Sequence, residues 1–317
     1  MIYPARIITL SLGLVLTTSL AIGVNLDDAV KEKDSLDKAA EAPFGSVGLI
    51  KIVTDSSISY GTGTFIGFGN DSAWVLTAGH VLRTYNKESS FTVGDKSWSF
   101  GTFWTSGTYD LGVIQIKGIK AGDLKPATFW STALPIANKL EDRIVGTGIG
   151  FGRSGTGTNP GTANDRKKRA YTNTIDAYNL KRYNGDGSVG QEFTGYMTDF
   201  DDSKASGNAL DVTDTPNWNM KNQTSSRSLT TLEGNGDSGD SGGPFFVQRG
   251  AQWTIAGVFS GTLKRDGYGS LGHYEAMDAD TTKNFITKHT GITAVPEPGS
   301  FAVLGLGLLA LRRRASA

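Results

Sequence analysis

Three widely separated residues carry the chemistry this sequence could perform. Ser241 lies in Gly239-Asp240-Ser241-Gly242-Gly243-Pro244, His80 closes Thr77-Ala78-Gly79-His80, and Asp110 opens the apolar run 111–116. A serine hydroxyl is a poor nucleophile at its own pKa, so a base must take its proton as it attacks. Imidazole titrates near neutrality and suits that task. A carboxylate held against the ring fixes its tautomer and stabilises the imidazolium that forms. Glycines flanking Ser241 let the backbone turn sharply and approach a substrate carbonyl. Ser238, in Gly236-Asp237-Ser238-Gly239, nearly copies the nucleophile run, but only Ser241 is followed by Gly-Gly-Pro and a strand. Asp123 and Asp142 are weaker rivals to Asp110. Read singly, each of these residues could be an ordinary strand end or turn residue.

The elements that would position them are strands. His80 ends the apolar stretch 73–79, which reads as a buried strand running into a turn. Strand-like runs at 47–53 and 63–67 flank a turn-rich Asp55-Ser56-Ser57. Further runs recur at 97–104, 111–116, 143–152, 169–177, 191–200, 244–248, 252–259 and 272–277. With 42 glycines spread as turn punctuation, this pattern predicts an all-β, antiparallel sandwich or barrel. A short helix is expected over 280–289, capped by Asp278 or Asp280, with Phe285 and Ile286 facing the core. Residues 154–165 and 201–233 read as loops, the second unusually long for a compact domain.

Taken together, the order His80, Asp110, Ser241 and the motifs around each residue resemble the trypsin/chymotrypsin-like serine endopeptidases. The resemblance implies two Greek-key β-barrels with a catalytic cleft between them, His80 and Asp110 from the first and Ser241 from the second, and a C-terminal helix. It implies an oxyanion hole made by the N–H groups of Gly239 and Ser241. It also implies a substrate pocket with Asn235 at its floor, walled by Ser260-Gly261-Thr262 and Gly272-His273. Strict preference for Arg or Lys would call for an acid where Asn235 stands. His273 could bias the pocket toward acidic residues or be a plain strand histidine. Family members activated by cleavage pair a new N-terminal ammonium with the acid before the nucleophile, here Asp240. No such cleavage site precedes Ser46, so either Asp240 finds another partner or residues 27–42 hide an unusual activation point. Arg143-Ile144-Val145-Gly146 resembles an activation site but follows the His and Asp motifs, and fits an interior strand better.

Both ends read as addresses. Residues 1–23 combine one early charge, Arg6, an apolar stretch 7–16 and small residues Ser19, Ala21 and Gly23, the plan of a secretory signal cleaved after Ala21 or Gly23. An uncleaved anchor is the other reading. At the far end Val295-Pro296-Glu297-Pro298 precedes an apolar run, 301–311, and then Arg312-Arg313-Arg314. The run is about half of what a helix needs to cross a bilayer, and the arginines would stay cytoplasmic. Together these parts resemble a PEP-CTERM sorting tail of Gram-negative bacteria. The expected organisation is 1–23 signal peptide, 24–45 polar lead-in or short pro-segment, 46–293 protease domain and 294–317 sorting tail.

Composition narrows the function. The 31 basic and 31 acidic residues balance, so no long-range field favours nucleic acid, and no nucleic-acid partner is expected. The chain lacks cysteine, which removes disulfides, thiolate zinc sites and a thiol nucleophile. No cofactor or metal is called for. Asn184-Gly185-Asp186-Gly187-Ser188 hints at a calcium loop but lacks the properly placed Gly and Glu, and Asp199, Asp201 and Asp202 read as a solvated acidic loop. Arg166-Lys167-Lys168-Arg169 reads as a solvated edge. The leading expectation is an exported serine endopeptidase acting on polypeptides through an acyl-enzyme. Its other partner would be the sorting and processing machinery at the membrane, and it would end secreted or on the cell surface. A catalytically silent binding protein on the same scaffold, or an esterase using the same residues, are the alternatives.

Overall fold

The computed structural model describes residues 24–82, 88–129, 134, 143–183, 188–202, 218–219, 228–263 and 266–295. The chain enters through a two-residue strand β1 (Asn25–Leu26) and a helix α1 (Glu32–Ala39). Val24, Leu26, Ala39 and Phe44 are buried. Ser35 Oγ donates to the Ala170 carbonyl at 2.6 Å, and Glu32 pairs with buried Arg169. A stretch whose composition suggests a solvated lead-in is therefore packed onto the body of the molecule, through those four apolar side chains and the bonds of Ser35 and Glu32 to β11.

Six antiparallel strands then close a barrel: β2 (Val47–Val53), β3 (Ile58–Gly69), β4 (Ser72–Thr77), β5 (Ser90–Val93), β6 (Lys96–Thr105) and β7 (Gly112–Ile116). They are joined in the order β2-β3-β4-β7-β6-β5, with β5 pairing back to β2. Asn70 and Asp71 take φ of 47° and 55°, the left-handed pair that a two-residue hairpin needs between β3 and β4. Alternating residues such as Ile50, Phe65, Val75, Phe91 and Ile114 fill the interior without a polar partner among them.

The second half contains β8 (Thr128–Phe129), β9 (Val145–Gly150), β10 (Gly155–Thr156), β11 (Arg169–Thr174), β12 (Ala177–Tyr183), β13 (Val189–Asp199), β14 (Trp218–Asn219), β15 (Gly234–Asn235), β16 (Pro244–Arg249), β17 (Gln252–Leu263) and β18 (Leu271–Ala276). Nine of them form one large sheet, β11-β9-β16-β17-β18-β13-β12-β14 with β8 alongside β17. β10, β1 and β15 form a small sheet of their own. A final helix α2 (Asp280–Thr290) ends at Gly291, whose φ of 73° supplies the left-handed stop. The fold is thus all-β with a closed barrel, a second large sheet and a C-terminal helix, the trypsin-like arrangement. Trp74, Leu76 and Val113 from the barrel pack with Ile149, Phe246, Val258 and Ile286, joining the halves in one core.

Some local expectations fail for identifiable reasons. The residue at the cap position of α2 is Ala279, without a side-chain cap bond, and Asp280 is the first helical residue, where its charge still suits the helix N-terminus. Arg169 does not belong to a solvated edge: it is buried and gripped by Asp165 and Glu32. Asp199 and Asp201 are buried as well, not solvated. The segment 184–187 and most of 203–227 lie outside the described residues. None of the described helices is long and apolar enough to cross a membrane.

Candidate active site

β4 delivers His80. Its apolar side chains lock the strand, and the chain leaves it through a tight turn over Gly79–Leu82. A Cβ at Gly79 would stand 3.1 Å from the Leu111 carbonyl oxygen and 3.2 Å from its nitrogen. A side chain there would have to push β7 back by a few tenths of an ångström, so glycine lets the His80 turn sit close against the start of β7, where Asp110 lies. Asp110 Oδ1 accepts the His80 backbone N–H at 2.7 Å, and Oδ2 sits 2.6 Å from His80 Nδ1. Ser260 Oγ donates to the same Oδ2 at 2.7 Å. Burial pushes the Asp110 carboxyl up, but the hydrogen bonds from His80 and Ser260 outweigh it and leave the group below the usual carboxylate range. An ionised Asp110 requires the proton on Nδ1, so Nε2 carries the free lone pair.

Ser241 is presented by the turn 237–243. Gly239 and Gly242 take φ of 94° and 85°, conformations that a side chain would strain. A Cβ at Gly242 would lie 2.0 Å from Thr77 Oγ1 and 2.8 Å from the Ala78 nitrogen, so the residue after Ser241 abuts the end of β4, just ahead of His80. From β3, Thr62 ties the turn down: its N–H donates to the Ser241 carbonyl at 2.9 Å and its hydroxyl to the Gly239 carbonyl at 3.1 Å. Among the described residues His80 bonds to Asp110, and no His80–Ser241 hydrogen bond is formed. Ser238 is exposed on the outer side of the same turn.

Asp240 is fully buried and meets no ammonium among the described residues. Oδ1 accepts the Gly152 N–H at 2.8 Å and Oδ2 the Asp237 N–H at 3.1 Å. Burial nonetheless pushes it up to about 8. Asn235 is also fully buried, with Nδ2 donating to Ser270 Oγ at 3.0 Å and Oδ1 accepting the Gly236 N–H at 2.9 Å. A Cβ on Gly272 would reach Asn235 Oδ1 at 2.4 Å, while Gly261 borders open space. His273, next along β18, points to the other face, where its Nε2 lies 2.8 Å from the Thr194 carbonyl oxygen and its ring meets Phe193 edge-on. Asp123 is engaged on the surface by Lys96, away from this cluster, and Asp142 lies outside the described residues.

Two contributors escaped the sequence. Ser260 was read only as a pocket wall, yet it also grips Asp110. Glu275, buried in β18, accepts the Asp110 N–H at 3.2 Å, and burial together with the Asp110 charge pushes it up to about 7. No motif surrounds either residue; only their place in the β17–β18 ladder brings them to Asp110.

Residues 294–315 match the family described as the PEP-CTERM protein-sorting motif. The motif indicates a protein exported by Gram-negative bacteria. No curated protein matches the chain. Similar solved structures include the protease Anisep from Arthrobacter nicotinovorans, at 14% identity over 80% of this chain and 98% of that one, TM-score 0.48. A protease from M. tuberculosis in its active form is 17% identical over 92% of this chain and 97% of that one, TM-score 0.47. A thermostable serine protease from an extremophile is 14% identical, covering 78% and 99%, TM-score 0.46.

Proposed function

We propose that this chain is an exported serine endopeptidase that cleaves peptide bonds through an acyl-enzyme. Ser241 is the nucleophile, His80 the base and then the acid, and Asp110 the carboxylate that orients the ring. The observation that carries the reading is the bonding of Asp110. One carboxylate takes the backbone and ring of His80 and the hydroxyl of Ser260 together, which leaves Nε2 as the free, basic nitrogen. The N–H groups of Gly239 and Ser241 would receive the oxyanion, a donor pair in which each member is worth about 3 kcal/mol. Asn235, at the position the resemblance assigns to the pocket floor, carries no charge and has its amide tied to Ser270 and Gly236, which suits neutral side chains better than Arg or Lys. A fluorophosphonate probe should label the wild-type protein and Ser238→Ala but not Ser241→Ala. Labelling that survives Ser241→Ala, or is absent from mature wild type, overturns the assignment. Turnover of simple esters without turnover of peptides would make the protein an esterase.

The sorting motif at residues 294–315 supports export of the chain. We propose that residues 1–23 are removed as a signal and that the tail 294–317 is processed at the membrane, leaving the protease secreted or on the cell surface. Intact-mass measurement of the mature protein tests both cuts.

A further inference from the structure

The Ser241 turn is braced from an unexpected direction. β1 runs antiparallel beside the pocket floor, Asn25 opposite Asn235 and Leu26 opposite Gly234, and on its other side lies parallel to β10. Asn25 is 2% exposed and uses both ends of its amide: Nδ2 donates to Asp237 Oδ2 at 2.8 Å, and Oδ1 accepts the Gly161 N–H at 3.0 Å. Asp237 passes the restraint on. Its Oδ1 accepts the Ser238 N–H at 2.6 Å, its own N–H donates to Asp240 Oδ2, and its carbonyl accepts the Asp240 N–H at 3.0 Å. Asp240 in turn holds Gly243 through its carbonyl at 2.7 Å. A continuous chain of bonds therefore runs from Asn25 around both sides of Ser241. Nearby, the Asp27 N–H donates to the Glu233 carbonyl at 2.8 Å, and Asp27 Oδ2 receives the Tyr268 hydroxyl at 2.7 Å, so the strand is pinned beyond Asn25 as well.

We propose that Asn25 is a positioning residue for the nucleophile: through Asp237 it fixes the turn that presents Ser241 and the Gly239 N–H. The proposal rests on the protease reading for its catalytic consequence, but the brace itself is a property of the fold. Its chemistry needs one short side chain with a donor and an acceptor. An apolar residue would orphan the Gly161 N–H and a buried Asp237 oxygen together. A further consequence follows. Residues 24–28 belong to the working enzyme and are not removed as a pro-segment.

The test is an exchange of polarity. Asn25→Asp replaces the amide donor with a second carboxyl, and Asp237→Asn replaces the oxygen that Asn25 uses with an amide nitrogen. The double variant restores the bond in the opposite sense. All variants are compared at pH 8, where a carboxyl proton shared between positions 25 and 237 is least favoured. Hydrogen exchange read by mass spectrometry should show peptides over 236–243 exchanging at least ~10-fold faster in either single variant, with β4 unchanged and the double variant returned to the wild-type rate. In the same proteins, well below their melting temperatures and normalised to folded protein, kcat should fall by about 10- to 100-fold with KM within about twofold, and recover in the double variant. A merely structural role would lower Tm and leave kcat of the folded protein alone. Wild-type exchange rates in the single variants, or a double variant no better than the singles, would overturn the proposal. Asn25→Ser provides the same readout where a single variant fails to fold. Should wild type neither hydrolyse peptides nor take the probe, the protease reading falls, and the exchange data still decide the brace.

Discussion

The two halves of this molecule solve different problems with different interiors. The closed barrel is filled by Ile50, Ile52, Phe65, Val75, Phe91, Phe100 and Ile114, with His80 and Asp110 partly exposed outside that cluster. The second half buries Asp176, Asp199, Asp237, Asp240, Glu233, Asn173, Asn235 and Arg169, and joins Tyr171 to Tyr274 through their hydroxyls at 2.8 Å. The difference follows from what each half must hold. The barrel presents His80 and Asp110 from a strand end and a strand start, and the two residues bond to each other. The second half must hold a turn with left-handed glycines against the cleft, and no regular ladder can satisfy the backbone of such a turn. Irregular backbone bonds with Phe259, the Thr62 hydroxyl on the Gly239 carbonyl, and the side chains of Asp237 and Asp240 do so instead, each acceptable only while its partners stay in place.

The sharpest way to break the comparison is at Asp110, which both halves grip. Asp110→Asn keeps the shape but loses the charge and favours the wrong imidazole tautomer, so kcat should fall about 10^4-fold. Ser260→Ala removes one of the two contacts from the second half, a hydrogen bond to the charged carboxylate, leaves Glu275 in place, and should cost about 10-fold. Steady-state kinetics on one peptide substrate checks both, and equal losses would show that the His80–Asp110 pair is not self-sufficient.

Next in size is a glycine at the seam. Gly242→Ala places a Cβ 2.0 Å from Thr77 Oγ1 and 2.3 Å from the Thr62 carbonyl oxygen, in a left-handed conformation, with two rigid neighbours unable to yield. A loss of about 3–5 kcal/mol is expected, or roughly 10 °C in Tm. Gly94, in a barrel turn at φ 60° with nothing within 4 Å of its missing Cβ, should cost only about 1 kcal/mol as Ala. Thermal denaturation separates the two, and similar losses would show that the seam yields after all.

Much of the barrel was legible in the sequence, and less of the second half, for the reason that separates them. Runs such as 73–78, 97–104 and 111–116 carry their own period, and each became a strand within a residue or two. The turn around Ser241 also declared itself, since a serine flanked by glycines that can take left-handed φ is a local pattern. Asn25, Ser260 and Glu275 did not. Each acts on something far along the chain, Asn25 on a residue 212 positions away, and a lone Asn ahead of Leu26-Asp27-Asp28 looks like surface. Arg169 misled for the same reason, because its partner Glu32 lies 137 positions earlier. Buried polar pairs over such separations leave no periodicity to read.

The polar interior should also make the two halves respond oppositely to pH. Burial pushes Asp237 up to about 6, and Glu233 and Asp240 up to about 8. Below those values the folded chain keeps protons on these groups that the unfolded chain releases near pH 4. Their contribution is therefore complete in acid and lost as pH rises from about 4 through 8, by about 1 kcal/mol per pH unit for each group still protonated. Asp110 has the opposite sign: its folded pKa is depressed, so its contribution is present above the ordinary carboxylate pKa and lost as pH falls. Hydrogen exchange, corrected for intrinsic rates, should show 233–243 losing protection between pH 5 and 8 while β3 and β4 hold theirs. Parallel behaviour of both halves would refute the contrast.

Glu275 offers the smallest and most selective test, because it places a second-half carboxyl against the barrel's Asp110. Its folded pKa of about 7 makes it neutral in acid and charged in mild base. When ionised it adds a negative charge behind Asp110 and favours the imidazolium that forms on His80 as Ser241 attacks. Glu275→Gln keeps an acceptor for the Asp110 N–H and removes only the charge. Below pH 6 the variant should match wild type; above pH 8 its kcat/KM should be lower by about threefold, a difference of roughly 0.6 kcal/mol. A variant slower by the same factor at every pH would mean that Glu275 acts through its hydrogen bond. A variant equal to wild type throughout would mean that the Glu275 charge does not reach the ring.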